Sequence, residues 1–297
     1  MTCYRPLSAF QDDEGKVVFS EQLGSARVLT LPCGRCVGCR IDRSRAWAMR
    51  CVHEAQMHDH NCFLTLTYDD SHLPQNGSLR YVHFQRFMKR LRKQAGKPVR
   101  FYMCGEYGDK LTRPHYHACI FGYDFYDKVP WSSGGGSPLF RSAHLESLWP
   151  FGFSSVGEVT FESAAYVAAY CMKKVVGSGA ADHYERVSDT GEIFSLVPEF
   201  TRMSLKPGIG ASWFDKFFES DVRSRDGVMV SGRRLPVPRY YDQLLAKRDA
   251  LALEAVQFDR SQKVTSESRV HSTPERLAVR EAVSNARINL KSRGLSK

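Results

Sequence analysis

The sequence predicts an α+β fold with a mainly antiparallel, ferredoxin-like sheet, an N-terminal cysteine knuckle and a basic helical C-terminal extension. Three observations support this. From Cys62 the residue patterns alternate as strand, helix, strand, strand, helix, strand, the split βαβ order of ferredoxin-like sheets with helices on one face. Three closely spaced cysteines precede this core, and a charged, helix-prone segment follows from Asp242. We therefore predict three regions, 1–60, 61–178 and 179–297.

The composition favours a globular protein with a polyanionic partner. The chain has 297 residues, of which 42% are apolar, enough to bury a sizeable core. Lysine and arginine outnumber the acids by 42 to 32, a net charge of +10 that suits nucleic acid or an anionic membrane. Neither a run of about 18 apolar residues nor a secretion signal occurs, so we expect no membrane partner and an intracellular location. Nine cysteines, an odd number, argue against a disulfide framework.

The N-terminal region contains a candidate metal knuckle. Cys33, Cys36 and Cys39 form a C-x-x-C-x-x-C motif that includes Gly34 and Gly38. These glycines let the backbone turn tightly enough to bring thiolates around a small ion. The spacing predicts a structural zinc site, for which tetrahedral coordination requires a fourth ligand. An iron–sulfur cluster and unliganded thiols are the alternatives.

Two predicted helices expose basic residues. Arg40–His58 has one apolar face, and five arginines against one aspartate lie between Arg35 and Arg50, which fits phosphate contact or a solvated face equally well. After a strand at Cys62–Tyr68, the helix Tyr81–Gln94 buries apolar residues at helical spacing and has a basic face without an acid. That face is the best candidate for DNA contact outside a catalytic centre. The candidate DNA-binding residues are Arg86, Lys89, Arg90, Arg92 and Lys93, together with Arg113.

Val99–Phe121 predicts a hairpin of two buried strands that holds a metal ion. His115 and His117 are two residues apart, so their imidazoles leave the same face of a strand. If Glu106 lies opposite His115, the carboxylate and both imidazoles converge, because directly opposed Cβ atoms are about 5 Å apart. This set leaves coordination positions open for a Lewis-acid metal. An isolated His-x-His pair is more often structural, so the interpretation depends on a second element downstream.

That second element is Ser163–Lys174, an alanine-rich segment without glycine or proline that predicts a helix. Tyr166 and Tyr170 share one face, and Lys173 and Lys174 lie one turn further along it. Alone, such tyrosines are more often core residues beside solvated lysines. Beside a two-histidine, one-carboxylate centre they indicate nucleophiles for phosphoryl transfer, with lysines that lower a phenol pKa or neutralise the phosphate.

The remaining segments carry weaker patterns. Residues 131–138, WSSGGGSP, predict a flexible loop, Arg141–Trp149 a short helix and Phe153–Thr160 a strand. Phe194–Tyr241 mixes turn residues with aromatics and predicts a small appended region of irregular structure. Ser272–Glu275 is typical of a helix start with proline at the first helical position. We expect the basic tail that follows to contact DNA or a partner, with a plain solvated helix at even odds.

Several of these motifs resemble those of a known family. PHYHACIFG resembles the His-hydrophobic-His motif of HUH endonucleases, YVAAYCMKK resembles the two-tyrosine motif of rolling-circle replication initiators, and FLTLTYDD resembles the first motif of the family. PCGRCVGCR, RAWAMRCVHEA, CGEYG and MSLKPGIG are similar to segments of the replication initiators of microviruses, small single-stranded-DNA phages, of the gokushovirus type. The resemblance extends to about Tyr241.

The resemblance implies an HUH core whose sheet carries the histidines, with the tyrosine helix packed beside it. It implies nicking and rejoining of single-stranded DNA at a phage origin, through a 5′-phosphotyrosyl link and a free 3′ hydroxyl. Glu106, His115 and His117 would bind Mg²⁺ or Mn²⁺, and Tyr166 or Tyr170 would attack phosphorus. The implied partners are the origin DNA and the host polymerase and helicase, in the cytoplasm of the bacterial host.

Some assignments keep alternatives. The resemblance places a cysteine at the position of Cys3, which is the first choice as fourth zinc ligand, ahead of Cys51 and His53. Two histidines and a carboxylate are also the facial triad of non-haem iron oxygenases, although basic stripes and paired tyrosines are not typical there. The non-enzymatic alternative is a zinc-knuckle protein that binds single strands by stacking bases on aromatic residues.

Overall fold

The computed structural model describes residues 3–12, 14–19, 27–108, 112–132, 138–169, 175, 179–188, 190–230, 232–263 and 270–294. It divides into two compact units, one formed by Met1–Arg43 with Glu254–Lys297 and the other by Ser44–Leu253. Tyr170, Lys173 and Lys174 lie outside the described residues, as does most of the predicted loop. The three-region division at residues 60 and 178 stays a prediction.

Strands and helices are interspersed along the chain. The first half contains β1 (Leu7–Gln11), β2 (Val17–Val18), β3 (Arg27–Leu31), α1 (Val37–Ala55), β4 (Asn61–Thr67), a 3-10 turn (Gln75–Gly77), α2 (Tyr81–Ala95), β5 (Arg100–Tyr107), β6 (Pro114–Phe121), β7 (Val129–Ser132), β8 (Leu139–Arg141) and α3 (Ala143–Leu148). The second half contains β9 (Ser154–Gly157), α4 (Phe161–Ala169), α5 (Ala180–Tyr184), β10 (Glu185–Val187), β11 (Ile193–Ser195), β12 (Phe200–Met203), α6 (Ala211–Phe217), a π-helix (Phe218–Arg223), β13 (Val228–Val230), β14 (Arg233–Leu235), α7 (Arg239–Arg248), α8 (Ala250–Gln262) and α9 (Pro274–Gly294). Among the described residues, no helix has the length and apolar content that crossing a bilayer requires.

The main sheet has seven strands in the order β12-β5-β6-β4-β9-β8-β7, and its neighbouring strands are antiparallel. Its central strands β5-β6-β4-β9, connected by α2 and α3, have the order of a ferredoxin-like sheet. The predicted α+β fold with a mainly antiparallel sheet is therefore confirmed. β12 extends the sheet at one edge, and β8 and β7 extend it at the other.

Helices cover both faces of this sheet. On one face α2 and α3 bury residues such as Phe84, Phe87 and Leu145 against β4, β5 and β6. On the other face α1 and α4 contribute Ala48 and Ala164 to a second apolar cluster. The prediction of helices on one face holds for the two crossover helices and is wrong for the whole sheet. The reason is that the central strands are apolar on both faces, so each face requires a cover.

The segment after the tyrosine helix is more regular than its sequence predicts. The expected irregular structure over Phe194–Tyr241 is wrong, since β12 pairs with β5, with Phe200 opposite Gly105. Beyond β12, α6, the π-helix, β13 and α7 close around a third apolar cluster that includes Trp213 and Tyr241. The aromatic residues that suggested a loop-rich region are core residues of this cluster. The C-terminal helix α9 begins at Pro274, as its sequence predicts.

His53 connects α1 to this third cluster. Its ring is fully buried and stacks on Trp213 with the centroids 3.6 Å apart, while its Nδ1 lies 2.9 Å from the Tyr241 hydroxyl. Its Nε2 is buried without a hydrogen-bond partner among the described residues. Burial lowers the pKa of His53 to about 3. The folded state therefore holds this imidazole neutral at a pH where the unfolded chain would bind a proton.

We expect this burial to make the protein acid-sensitive. Because the folded pKa lies below the unfolded value of about 6.5, the free energy of unfolding should fall as the pH drops from 6.5 towards 3, by up to about 1.4 kcal/mol per pH unit. His53→Phe keeps an aromatic ring and should flatten this dependence in denaturant unfolding between pH 7 and 5. Replacing the exposed His60 by glutamine should leave the dependence unchanged. An equal slope in His53→Phe and wild type would contradict the assignment.

Candidate active site

The β5–β6 hairpin brings the three predicted metal ligands together. In the ladder Glu106 lies opposite His115, and Cys104 lies opposite His117. The predicted register of Glu106 is therefore confirmed. Because side chains alternate along a strand, Glu106, His115 and His117 leave the same face of the sheet.

The three side chains meet through one carboxylate oxygen. Oε1 of Glu106 lies 2.7 Å from Nε2 of His115 and 3.1 Å from Nε2 of His117. One ligand atom from each residue lies within 4.8 Å of the others. Glu106 and His117 are buried, and His115 is half-buried, so the group opens to solvent on the side of His115.

The second nitrogen of each imidazole is also bound. Nδ1 of His115 donates to the backbone carbonyl of Arg113 at 3.0 Å, and Nδ1 of His117 lies 3.0 Å from the hydroxyl of Thr65. Thr65 is on β4, directly opposite His117 in the ladder. These contacts fix the ring orientations and direct both Nε2 atoms towards Glu106. This is the arrangement in which protein imidazoles bind metals.

The donor set fits a cation. The carbonyl of Arg113 only accepts hydrogen bonds, so Nδ1 of His115 carries the proton, and Nε2 of the neutral ring presents a lone pair to the carboxylate. A lone pair and a carboxylate at this distance require either a proton or a metal ion between them. Burial alone would raise the pKa of Glu106, but hydrogen bonds from the two imidazoles outweigh burial and lower the pKa. The group is therefore a buried anion beside two imidazoles, with a coordination shell that the three side chains do not complete.

The tyrosine helix packs beside this group. Helix α4 lies on the same face of the sheet as the histidines, where Ala164, Val167 and Ala168 are buried. The ring of Tyr166 meets the ring of His117 edge to face, with the centroids 5.0 Å apart and the planes at 81°. Tyr166 remains 47% exposed. A phenol that a substrate can reach therefore lies directly beside one candidate metal ligand.

The basic face of α2 lies on the opposite side of the sheet, because α2 covers the other face. Two of its arginines are used in packing: Arg90 donates to the carbonyl of Leu148 at 2.7 and 3.0 Å, and Arg92 to that of Val99 at 2.9 and 3.0 Å. The exposed members of the set are Arg86, Lys89 and Lys93. The structure therefore does not bring the basic stripe to the histidine and glutamate group.

Arg113 and Thr65 have structural roles near the histidines. The guanidinium of Arg113 donates to the carbonyl of Tyr68 at 2.9 Å and pairs with Asp70, which connects the hairpin to the end of the FLTLTYDD segment. The sequence singled out that segment without assigning a role to Thr65. The alternation of β4 is the only signal that places Thr65 on the histidine face, and it becomes informative once β4 is known to pair with β6.

Four cysteines form a second cluster, in the unit of Met1–Arg43 with Glu254–Lys297. The sulfur atoms of Cys3, Cys33, Cys36 and Cys39 lie within 4.8 Å of one another, so Cys3, the first choice for the fourth position, is brought to the other three. Of the two reserve ligands, Cys51 packs in the second apolar cluster and His53 binds Tyr241.

Backbone amides point at the sulfur atoms of the cysteine cluster. The amides of Cys33 and Tyr4 donate to the sulfurs of Cys3 and Cys36, each at 3.3 Å. Burial acts to raise the pKa of Cys36, but hydrogen bonds outweigh it and lower the pKa to about 7. Amide donors and a lowered thiol pKa favour the thiolate form that binds metals.

Fold and site together define a class of protein: a ferredoxin-like sheet whose central hairpin carries two histidines and a glutamate, with a tyrosine helix beside them. The family model of replication-associated proteins of the ORF2 type matches residues 61–175, which contain this arrangement. No solved structure gives a significant match.

Three phage proteins are similar over most of the chain. The Replication-associated protein VP4 of Bdellovibrio phage phiMH2K is 35% identical over 259 residues, which are 83% of this chain and 78% of the relative. The Replication-associated protein ORF2 of Spiroplasma virus 4 is 32% identical over 273 residues, covering 83% and 81%. The Replication-associated protein ORF4 of Chlamydia phage 1 is 32% identical over 238 residues, covering 77% and 56%. This chain belongs to the family of microvirus replication-associated proteins.

The hydroxyl of Thr65 should affect metal binding through His117. Thr65→Val keeps the side-chain shape but removes the oxygen that fixes the ring, and we expect the affinity for Mn²⁺ to fall roughly 10- to 100-fold in titration calorimetry. Thr67→Val, on the same strand and face, is the matched control and should stay close to wild type. Unchanged affinity in Thr65→Val would show that this hydroxyl does not orient the ligand.

Proposed function

We propose that this protein nicks and rejoins single-stranded DNA at a phage replication origin, as an HUH endonuclease of rolling-circle replication. The observation that carries the proposal is the contact of Tyr166 with His117, which puts an exposed phenol beside the histidine and glutamate group. Membership of the replication-associated family supports a role in initiating phage replication. The net charge of +10 suits a polyanionic substrate.

In this proposal Glu106, His115 and His117 hold a divalent ion, Mg²⁺ or Mn²⁺. Bound there, the ion supplies positive charge that offsets the charge developing on a non-bridging oxygen of the scissile phosphate. Arg113 and Thr65 keep both imidazoles in the ligand orientation through their contacts with Nδ1. Open coordination positions suit a site that must admit substrate.

The chain supplies the nucleophile. The phenol oxygen of Tyr166 or Tyr170 forms a bond to phosphorus while the bond from phosphorus to the 3′ oxygen breaks. The phenol loses its proton, and the departing 3′ oxygen gains one and becomes a hydroxyl. Lys173 and Lys174 lower the phenol pKa or neutralise the phosphate. The second tyrosine makes a new nick while the first strand end is still held as a 5′-phosphotyrosyl link.

The products define the partners. A free 3′ hydroxyl is the end that a host polymerase extends, and a host helicase would separate the displaced strand. Because the covalent link keeps the energy of the phosphodiester bond, rejoining needs no nucleotide. We propose that this cycle takes place in the cytoplasm of the bacterial host.

The test is a covalent adduct. We expect the full chain, incubated with Mn²⁺ and labelled single-stranded oligonucleotides that tile the phage genome, to form a protein–DNA adduct that survives denaturation. Tyr166→Phe and Tyr170→Phe should each change the adduct yield, and the double variant should lose it by several orders of magnitude. Tyr126→Phe changes an exposed tyrosine on another segment and should react like wild type.

Two outcomes would contradict the proposal. One is normal adduct formation by the double tyrosine variant, which would exclude both phenols as nucleophiles. The other is tight binding of single strands without any adduct in the presence of Mn²⁺, which is what a non-catalytic nucleic-acid-binding protein would give. Oxygen- and iron-dependent turnover would instead favour a non-haem oxygenase.

We also propose that the four-cysteine cluster holds a structural zinc ion. The supporting observation is that four sulfurs converge and fill a tetrahedral shell without an open position. Backbone amides directed at the sulfurs stabilise thiolates. A closed set of thiolates suits a structural role better than catalysis.

Elemental analysis tests this site. We expect about one zinc per chain in protein purified without added metal, and loss of that zinc in Cys36→Ser together with a lower melting temperature. Cys62→Ala removes a buried thiol outside the cluster and should keep the zinc. Iron with acid-labile sulfide at this position would contradict zinc.

A further inference from the structure

Phe153 is an exposed aromatic residue in the same row of the sheet as Glu106 and His115. Across the ladders, Glu106 lies opposite His115, and His115 lies opposite Thr67 of β4. The amide of Thr67 donates to the carbonyl of Phe153 at 2.8 Å. One row therefore leads from the candidate metal ligands, across β4, to Phe153.

The side chain of Phe153 belongs to the histidine face. In β9, Ser155 lies opposite Thr65, and Thr65 lies opposite His117. Phe153 is two residues before Ser155, so the alternation of side chains puts both on one face. The ring is 67% exposed, whereas the opposite face is covered by α2 and α3.

The backbone beneath Phe153 is held in place. Gly152 has a φ of +143°, and a Cβ at this position would lie 2.3 Å from the amide nitrogen of Asp69. The amide of Asp69 donates to the carbonyl of Phe151 at 3.0 Å, and the indole of Trp149 donates to the carbonyl of Thr67 at 3.1 Å. This segment is therefore fixed against the end of β4, with the exposed ring of Phe153 presented at a defined position.

We propose that Phe153 is a base-stacking subsite, which holds a nucleobase of the single strand next to the phosphate at the candidate active site. Neighbouring strands are about 4.8 Å apart, so the backbone of Phe153, two strands from His115, lies about 10 Å away. A short stretch of extended single strand bridges that distance. Phenylalanine has no polar group, so the contact selects an unpaired base without reading its identity. The inference rests on the proposed function and deepens it by naming a contact for the substrate.

DNA affinity without cleavage tests the subsite. In EDTA, we expect Phe153→Ala to bind a labelled single-stranded oligonucleotide about tenfold more weakly than wild type, and Phe153→Trp to retain wild-type affinity. Tyr126→Ala is the matched control, because Tyr126 is 87% exposed and contacts His144 on α3, the helix of the other face. It should bind like wild type. Because Phe153 is exposed, its replacement by alanine should leave thermal unfolding unchanged.

Crosslinking locates the contact. An oligonucleotide that carries 5-iodouracil should crosslink to the peptide containing Phe153, and this crosslink should disappear in Phe153→Ala. Unchanged affinity in Phe153→Ala, or crosslinks at Tyr126 instead of Phe153, would overturn the inference. Both results are independent of nicking. A wild-type adduct together with unchanged affinity in Phe153→Ala refutes only the subsite, whereas a crosslink at Phe153 without any tyrosyl adduct refutes only the nuclease.

Discussion

The pairing of Glu106 with His115 across the β5–β6 ladder is the constraint on which the rest of the site depends. A slip of one residue in this register would move Glu106 to the other face of the sheet, where α2 and α3 cover it, and would leave both imidazoles without a carboxylate. The apolar neighbours in both strands resist that slip, because each strand buries one set of side chains under the crossover helices and another under α1 and α4. The apolar packing of both faces therefore determines where the carboxylate lies.

The same packing determines how close the tyrosine helix lies. Helix α4 meets the sheet through Ala164 and Ala168, whose small side chains allow close approach, and Ser44 of α1 donates to the carbonyl of Ala165 at 3.1 Å. Tyr166 lies between these alanines in sequence, half exposed, with its ring against His117. Small residues beneath the helix and one large aromatic residue at its edge thus position the phenol without burying it.

The sequence predicted the parts of the site that depend on local spacing. The two-residue period placed His115 and His117 on one face, and turn chemistry between the strands placed Glu106 opposite them. Thr65 and Phe153 were not predicted, because their positions depend on which strands flank β4, and this is a matter of long-range pairing. The same limit applies to β12, whose pairing with β5 is invisible in a segment rich in turn residues. Cys3 is close to the other cysteines only through the fold, so spacing alone left Cys51 and His53 as alternatives.

The two candidate metal sites differ in the chemistry that their ligands allow. Four thiolates from one short motif and Cys3 fill a tetrahedral shell, and soft sulfur ligands favour a metal that stays in place. Glu106, His115 and His117 supply three harder ligands and leave the remaining positions to solvent or substrate. A site that neutralises a phosphate must exchange its outer ligands at every turnover, whereas a site that holds a fold together must not. Ligand type and ligand number therefore assign stability to the cysteines and phosphate chemistry to the hairpin.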